Sequence, residues 1–148
     1  MIRKFENKDT DRVMEIWLEA NLQAHDFISS EYWLAHKDET AQLLPKASVY
    51  VYEDEEGIQA FIGMVNNYIA GIFVATKMQG KGIGKRLLDH VKTIQKYLTL
   101  HVYQKNTGAI GFYQREGFGV LTIDIDTATG EREYTMCWAI DDDNIIKE

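Results

Sequence analysis

The chain has 148 residues, 45% of them apolar, with one cysteine, one proline and a formal charge of −7. That length can bury a sizeable core as a single domain over residues 1–148, and the lone Cys137 excludes an internal disulfide framework, which suits a reducing cytoplasm. The charge argues against a nucleic-acid binder, which needs basic faces, and no apolar run approaches the roughly 20 residues that span a bilayer.

Residues 2–5 read as a short edge strand, and Met1-Ile2-Arg3-Lys4 leads into charged residues, unlike a signal-peptide core. Asp9 or Thr10 is a candidate cap for a helix on which Val13, Ile16, Trp17 and Ala20 recur at helical spacing. Ser29 and Ser30 precede a second helix carrying Tyr32, Trp33 and Leu34. Residues 47–53 and 58–65 form a predicted hairpin around Asp54-Glu55-Glu56-Gly57. A strand over 68–74 is followed by a glycine-rich loop. The helix behind that loop is expected over 83–96, with Ile83, Leu87, Leu88, Val91 and Ile94 on one stripe. Next come a strand over 98–103 and a helix over 107–115, capped by Asn106 and ended by Gly117. Strands over 118–125 and 132–139, joined around Thr127-Ala128-Thr129-Gly130, complete one α/β domain with a mixed sheet. Asp141-Asp142-Asp143 reads as a solvated tail.

The loop Gln79-Gly80-Lys81-Gly82-Ile83-Gly84 carries the chemistry. A backbone that wraps a phosphate must bring several N–H groups close to its oxygens, and glycine permits both the approach and the dihedrals. The helix N-terminus behind it adds unpaired N–H groups and partial positive charge, and Lys81 and Lys85 add full charges. A diphosphate is therefore a natural ligand. A Walker A loop is excluded, because Arg86 follows Gly84-Lys85 and Gln79 stands where the first glycine belongs. A dinucleotide fingerprint is excluded too: the spacing is G-x-G-x-G, and the next strand, Leu98-Thr99-Leu100-His101-Val102, holds no acid.

The pattern that fits is [Gln/Arg]-x-x-Gly-x-[Gly/Ala], met by Gln79, Gly82 and Gly84, and a second block runs Asn106-Thr107-Gly108-Ala109-Ile110-Gly111-Phe112-Tyr113 to Glu116-Gly117-Phe118. Together they resemble the GCN5-related N-acetyltransferases. The likeness is close over residues 69–120. Val102-Tyr103-Gln104-Lys105-Asn106 and Ala24-His25-Asp26-Phe27-Ile28 further resemble a bacterial subgroup of protein or peptide N-acetyltransferases. The resemblance implies a mostly antiparallel mixed sheet of six to seven strands, flanked by about four helices. It implies acetyl-coenzyme A as co-substrate, with its pyrophosphate at Gln79, Gly80, Lys81, Gly82, Ile83, Gly84 and Lys85. Its pantetheine would lie along the strand ending Ile72, Phe73 and Val74, which requires that strand to splay from the next. Asn106 would contact the cofactor and Tyr113 would protonate the departing thiolate. Family members frequently carry proline where this chain has Thr76, so a less rigid loop is expected.

Spacing alone leaves Tyr113 either a core aromatic with a wet tip or a proton donor. His101 faces away from Leu98, Leu100 and Val102, where related enzymes often hold a glutamate base; it is a candidate base or a histidine satisfied by backbone. His25, beside Asp26 in the expected acceptor pocket, is a second candidate for base or substrate orientation, or else a surface histidine. No metal is implied: there is one cysteine and no His-x3-His spacing, and Asp124-x-Asp126 is followed by Ala128 where a calcium loop needs a ligand. The expected activity is direct acetyl transfer to an amine, of a protein lysine, a protein N-terminus or a small molecule, by a cytoplasmic monomer or homodimer with no nucleic-acid or membrane partner. A non-catalytic acyl-coenzyme A sensor is the alternative.

Overall fold

The computed structural model describes residues 1–140, so the acidic run 141–143 lies outside the described residues. Strand β1 spans Ile2–Lys4, β2 Ser48–Asp54, β3 Gly57–Val65, β4 Tyr68–Val74, β5 Tyr97–Tyr103, β6 Gly119–Ile125 and β7 Arg132–Ala139. Helix α1 spans Thr10–Ala24, α2 Ser30–Leu43, α3 Ile83–Lys92 and α4 Thr107–Arg115. The seven strands form one sheet in the order β1-β2-β3-β4-β5-β7-β6, antiparallel at every junction except β4 with β5.

Strand alternation divides the core into two layers. On one face Ala60, Ile62, Ile69, Leu98 and Leu100 pack under Leu87, Leu88 and Val91 of α3 and Tyr113 of α4. On the other, Val49, Val51, Ile58 and Phe61 pack under Val13, Ile16 and Trp17 of α1 and Trp33 of α2. Each such buried Val, Leu, Ile or Phe side chain contributes about 1.5–3 kcal/mol, so both helix pairs are fixed to the sheet that carries the site.

Two sequence expectations shift. Asp9 does not cap α1; its carboxylate takes two hydrogen bonds from the Arg3 guanidinium and one from the Glu6 N–H, tying the edge strand to the turn before α1. Helix α3 stops at Lys92, where Thr93 and Ile94 turn tightly back onto the carbonyls of His90 and Val91. Ile94 therefore leaves the apolar stripe and is 51% exposed. Helix α2 buries Trp33, packs Tyr32 and Ala41 partly against the same layer, and leaves Leu34 exposed.

Candidate active site

Strands β4 and β5 pair only at Tyr68 with Thr99 and Ile69 with Leu100. Beyond that point β4 continues to pair with β3, and β5 with β7, so their facing edges diverge into a wedge. Ala70 is the extra residue of a bulge between the pairs Met64–Ile69 and Gly63–Gly71. A bulge bends its strand, and this one lies where β4 leaves β5. The main-chain groups of Ile72, Phe73 and Val74 follow on that edge, with Ile72 and Val74 turned to one core layer and Phe73 to the other.

The glycine loop closes the open end of the wedge. Gly82 caps α3 in the left-handed region, at φ 81°, and Gly80 has φ 77°; a Cβ built at either meets no atom within 4 Å. The loop is thus an open cradle whose shape depends on backbone that other residues adopt at a cost. Residues fit a diphosphate here through N–H groups at the start of α3, while Ile83 turns its side chain into the core. Gln79 donates from Nε2 to the Val74 carbonyl at 3.2 Å and to Gln23 Oε1 at 3.1 Å. Lys81 is exposed beside Met78. The Lys85 ammonium pairs with Glu116 at 3.0 Å and Asp89 at 3.3 Å, hydrogen bonds that raise its pKa. At position 76, where proline is absent, the Thr76 N–H donates to Glu19 Oε1 at 2.9 Å.

Tyr113 lies on the α3–α4 side of the sheet, packed against Phe112 and Phe118 with ring centroids at 5.2 and 5.4 Å. Burial, helped by the nearby Tyr68 phenol, pushes its ionisation well above the ordinary range, so the phenol keeps its proton at neutral pH. Its hydroxyl makes no hydrogen bond among the described residues. His101 stands on the opposite face of the sheet, exposed, with Nδ1 at 3.0 Å from Thr135 Oγ1 and its ring 5.4 Å from that of Tyr68.

His25 ends α1 and is the most fully engaged of the candidates. Asn21 donates from Nδ2 to the Trp17 carbonyl at 2.9 Å, which leaves its Oδ1 to accept from His25 Nδ1 at 3.0 Å. His25 Nε2 then accepts from Asn106 Nδ2 at 3.1 Å, and Asn106 Oδ1 accepts from the Ala109 N–H at 3.2 Å, capping α4. Each donor meets an acceptor only if His25 is the neutral Nδ1–H tautomer. Burial lowers its pKa to about 4, in agreement. The ring stacks on Trp33 at 5.3 Å and meets Tyr103 edge-on at 5.1 Å.

Sequence reasoning missed several residues around the wedge. The Tyr103 hydroxyl donates to Asp126 Oδ2 at 2.8 Å, fastening the β6–β7 turn to the end of β5. Glu133 faces Tyr103 across β5 and β7; burial raises its pKa, opposed by His101 and reinforced by Asp126 and Asp124. This sheet face is therefore acidic beside His101. The Trp17, Asn21 and His25 series was legible at i, i+4 spacing; the cross-strand partners were not, because register joins residues far apart in sequence. Among the described residues no group of three or more His, Cys, Asp or Glu could hold a metal ion, and no helix is long and apolar enough to cross a membrane.

Residues 45–120 match the model of the acetyltransferase (GNAT) domain. The chain is 32% identical over 142 residues to the peptidyl-lysine N-acetyltransferase YiaC of Escherichia coli K12, covering 95% of this chain and 97% of that protein. The solution structure of apo YjaB from Escherichia coli superposes with a TM-score of 0.83 at 25% identity, covering 93% of this chain and 96% of that one. An N-acetyltransferase, PaiA of Thermoplasma acidophilum, solved with coenzyme A, shares the fold with a TM-score of 0.81 at 22% identity, over 95% and 98% of the two chains.

Proposed function

Because the chain belongs to the acetyltransferase (GNAT) family and transfers an acetyl group from acetyl-coenzyme A to a primary amine, we propose that the amine is the side chain of a protein or peptide lysine. The observation that carries this reading is the wedge: a splayed β4 edge with the glycine cradle at its open end, a protonated phenol on one face and an imidazole on the other. The peptidyl-lysine activity named for the E. coli relative and the carboxylates of Asp126 and Glu133 beside His101 both favour a cationic acceptor.

In this reading Gln79 to Gly84 hold the pyrophosphate, and the β4 edge from Ile72 to Val74 aligns the pantetheine as an added strand. Asn106, fixed by His25, borders the thioester. His101 takes a proton from the acceptor ammonium, directly or through water, and frees the lone pair for attack on the thioester carbon. Tyr113 delivers its phenolic proton to the sulfur as the C–S bond breaks, and its phenolate regains one, through water, from the acceptor nitrogen, which leaves a neutral amide and the coenzyme A thiol. His25, neutral and with both nitrogens engaged, serves as a positioning residue. The free Cys137 thiol suits reaction in a reducing cytoplasm.

Mass spectrometry of a lysine peptide incubated with the protein and acetyl-coenzyme A tests the proposal. Acetylation at lysine Nε is expected, and none on the same peptide with its lysine blocked. Modification confined to an α-amine or a small amine would overturn the acceptor assignment.

A further inference from the structure

Helix α1 ends alongside both walls of the wedge. Its last turns carry Glu19 and Gln23, one helical repeat apart on the same side, toward the segment that follows β4. Thr76 opens a short helical turn there, and the backbone is ready for proline. Ala75 has φ −53° and ψ 138°, the extended conformation taken by a residue before proline, and the first position of a helical turn loses nothing when its N–H is missing. The chain uses that N–H instead. It donates to Glu19 Oε1 at 2.9 Å, while Thr76 Oγ1 lies 3.3 Å from Gln23 Oε1. The same Gln23 oxygen accepts from Gln79 Nε2, which also reaches the Val74 carbonyl. Thr76 thereby holds the Glu19 carboxyl below the usual range, so it stays ionised at working pH.

We propose that Glu19 and Gln23 are positioning residues for cofactor capture, clamping the chain from Thr76 to Gln79 so that the glycine cradle is already formed when acetyl-coenzyme A arrives. The proposal rests on the reading of that cradle as the acetyl-coenzyme A site. A side-chain clamp here does what a ring would do covalently: it removes conformations the loop would otherwise lose on binding. Proline at 76 and the clamp are then alternative solutions to one problem, and either suffices alone.

That equivalence makes the test. Acetyl-coenzyme A is titrated calorimetrically into the unaltered protein, Glu19→Ala, Glu19→Gln, Thr76→Pro and the Glu19→Ala/Thr76→Pro double variant, with thermal melts to verify folding. Glu19→Ala should weaken binding about fivefold, the scale of one net hydrogen bond, with kcat at saturation unchanged. Glu19→Gln, which keeps an acceptor oxygen, should lose less. Thr76→Pro should bind within about twofold of the parent, and in the double variant it should restore the affinity that Glu19→Ala loses, an interaction read directly from the cycle. A merely structural Glu19 would show no such rescue. Parent-like binding by Glu19→Ala, or a double variant as weak as Glu19→Ala, overturns the proposal while the cradle stands. Failure of the unaltered protein to bind acetyl-coenzyme A overturns the cradle and the proposal together.

Discussion

His25 Nε2 lies 3.1 Å from Asn106 Nδ2 and joins the end of α1 to the cap of α4 across 81 positions of sequence. The contact exists only while the imidazole is neutral, since a protonated Nε2 would meet a donor with a donor.

Acid should therefore act on stability through this ring. In the folded protein His25 holds no charge until about pH 4, whereas the unfolded chain binds a proton near 6.5. The unfolded state binds more protons between those values, so the contribution is complete above pH 6.5 and is lost as pH falls toward 4. Melting temperatures measured over that window should fall more steeply for the parent than for His25→Gln, which cannot titrate. Parallel curves would refute the neutral ring.

Tyr113→Phe removes one oxygen and leaves the packing on Phe112 and Phe118 intact. Acetyl-coenzyme A affinity should be unchanged while kcat drops by about a hundredfold, the loss expected when a general acid is deleted. A variant with parent-like turnover would remove Tyr113 from the chemistry.

His101 sits exposed beside Thr135, so a small molecule can enter its place. The rate of His101→Ala should fall at least tenfold and recover partly on addition of free imidazole. Loss of rate without rescue would indicate a packing role, and no loss would exclude it as base.

Gly71 faces the ring of Phe73, which folds back along β4 and stacks on Phe61 at 5.0 Å. A Cβ at 71 would collide with that ring. Gly71→Ala should cost about 1–3 kcal/mol in urea unfolding, the range for overpacking. Phe73→Leu in the same chain should recover part of the loss; additive destabilisation would show that the ring is not the obstacle.

Strand β4 was legible to the residue over 68–74, since its apolar run ends at turn chemistry on both sides, and Asn106 declared itself as the cap of α4. The end of α3 was not, because Ile94 continues a helical spacing that the chain abandons at Lys92. Local pattern reports which residues favour a helix, and the tight turn at Thr93 depends on where β5 must begin.

The same division runs through the site. The sequence by itself determined the cradle, because Gly80 and Gly82 are required by backbone dihedrals that are local properties of the chain, and it determined the strand–loop–helix order that marks the family. Only the tertiary structure decided which partners the side chains meet there. The contacts of Lys85 with Glu116, of His25 with Asn106 and of the Thr76 N–H with Glu19 each join partners distant in sequence. Hydrogen bonds and burial act over a few ångströms, and packing of α1 and α4 against the sheet chooses which groups come within that range.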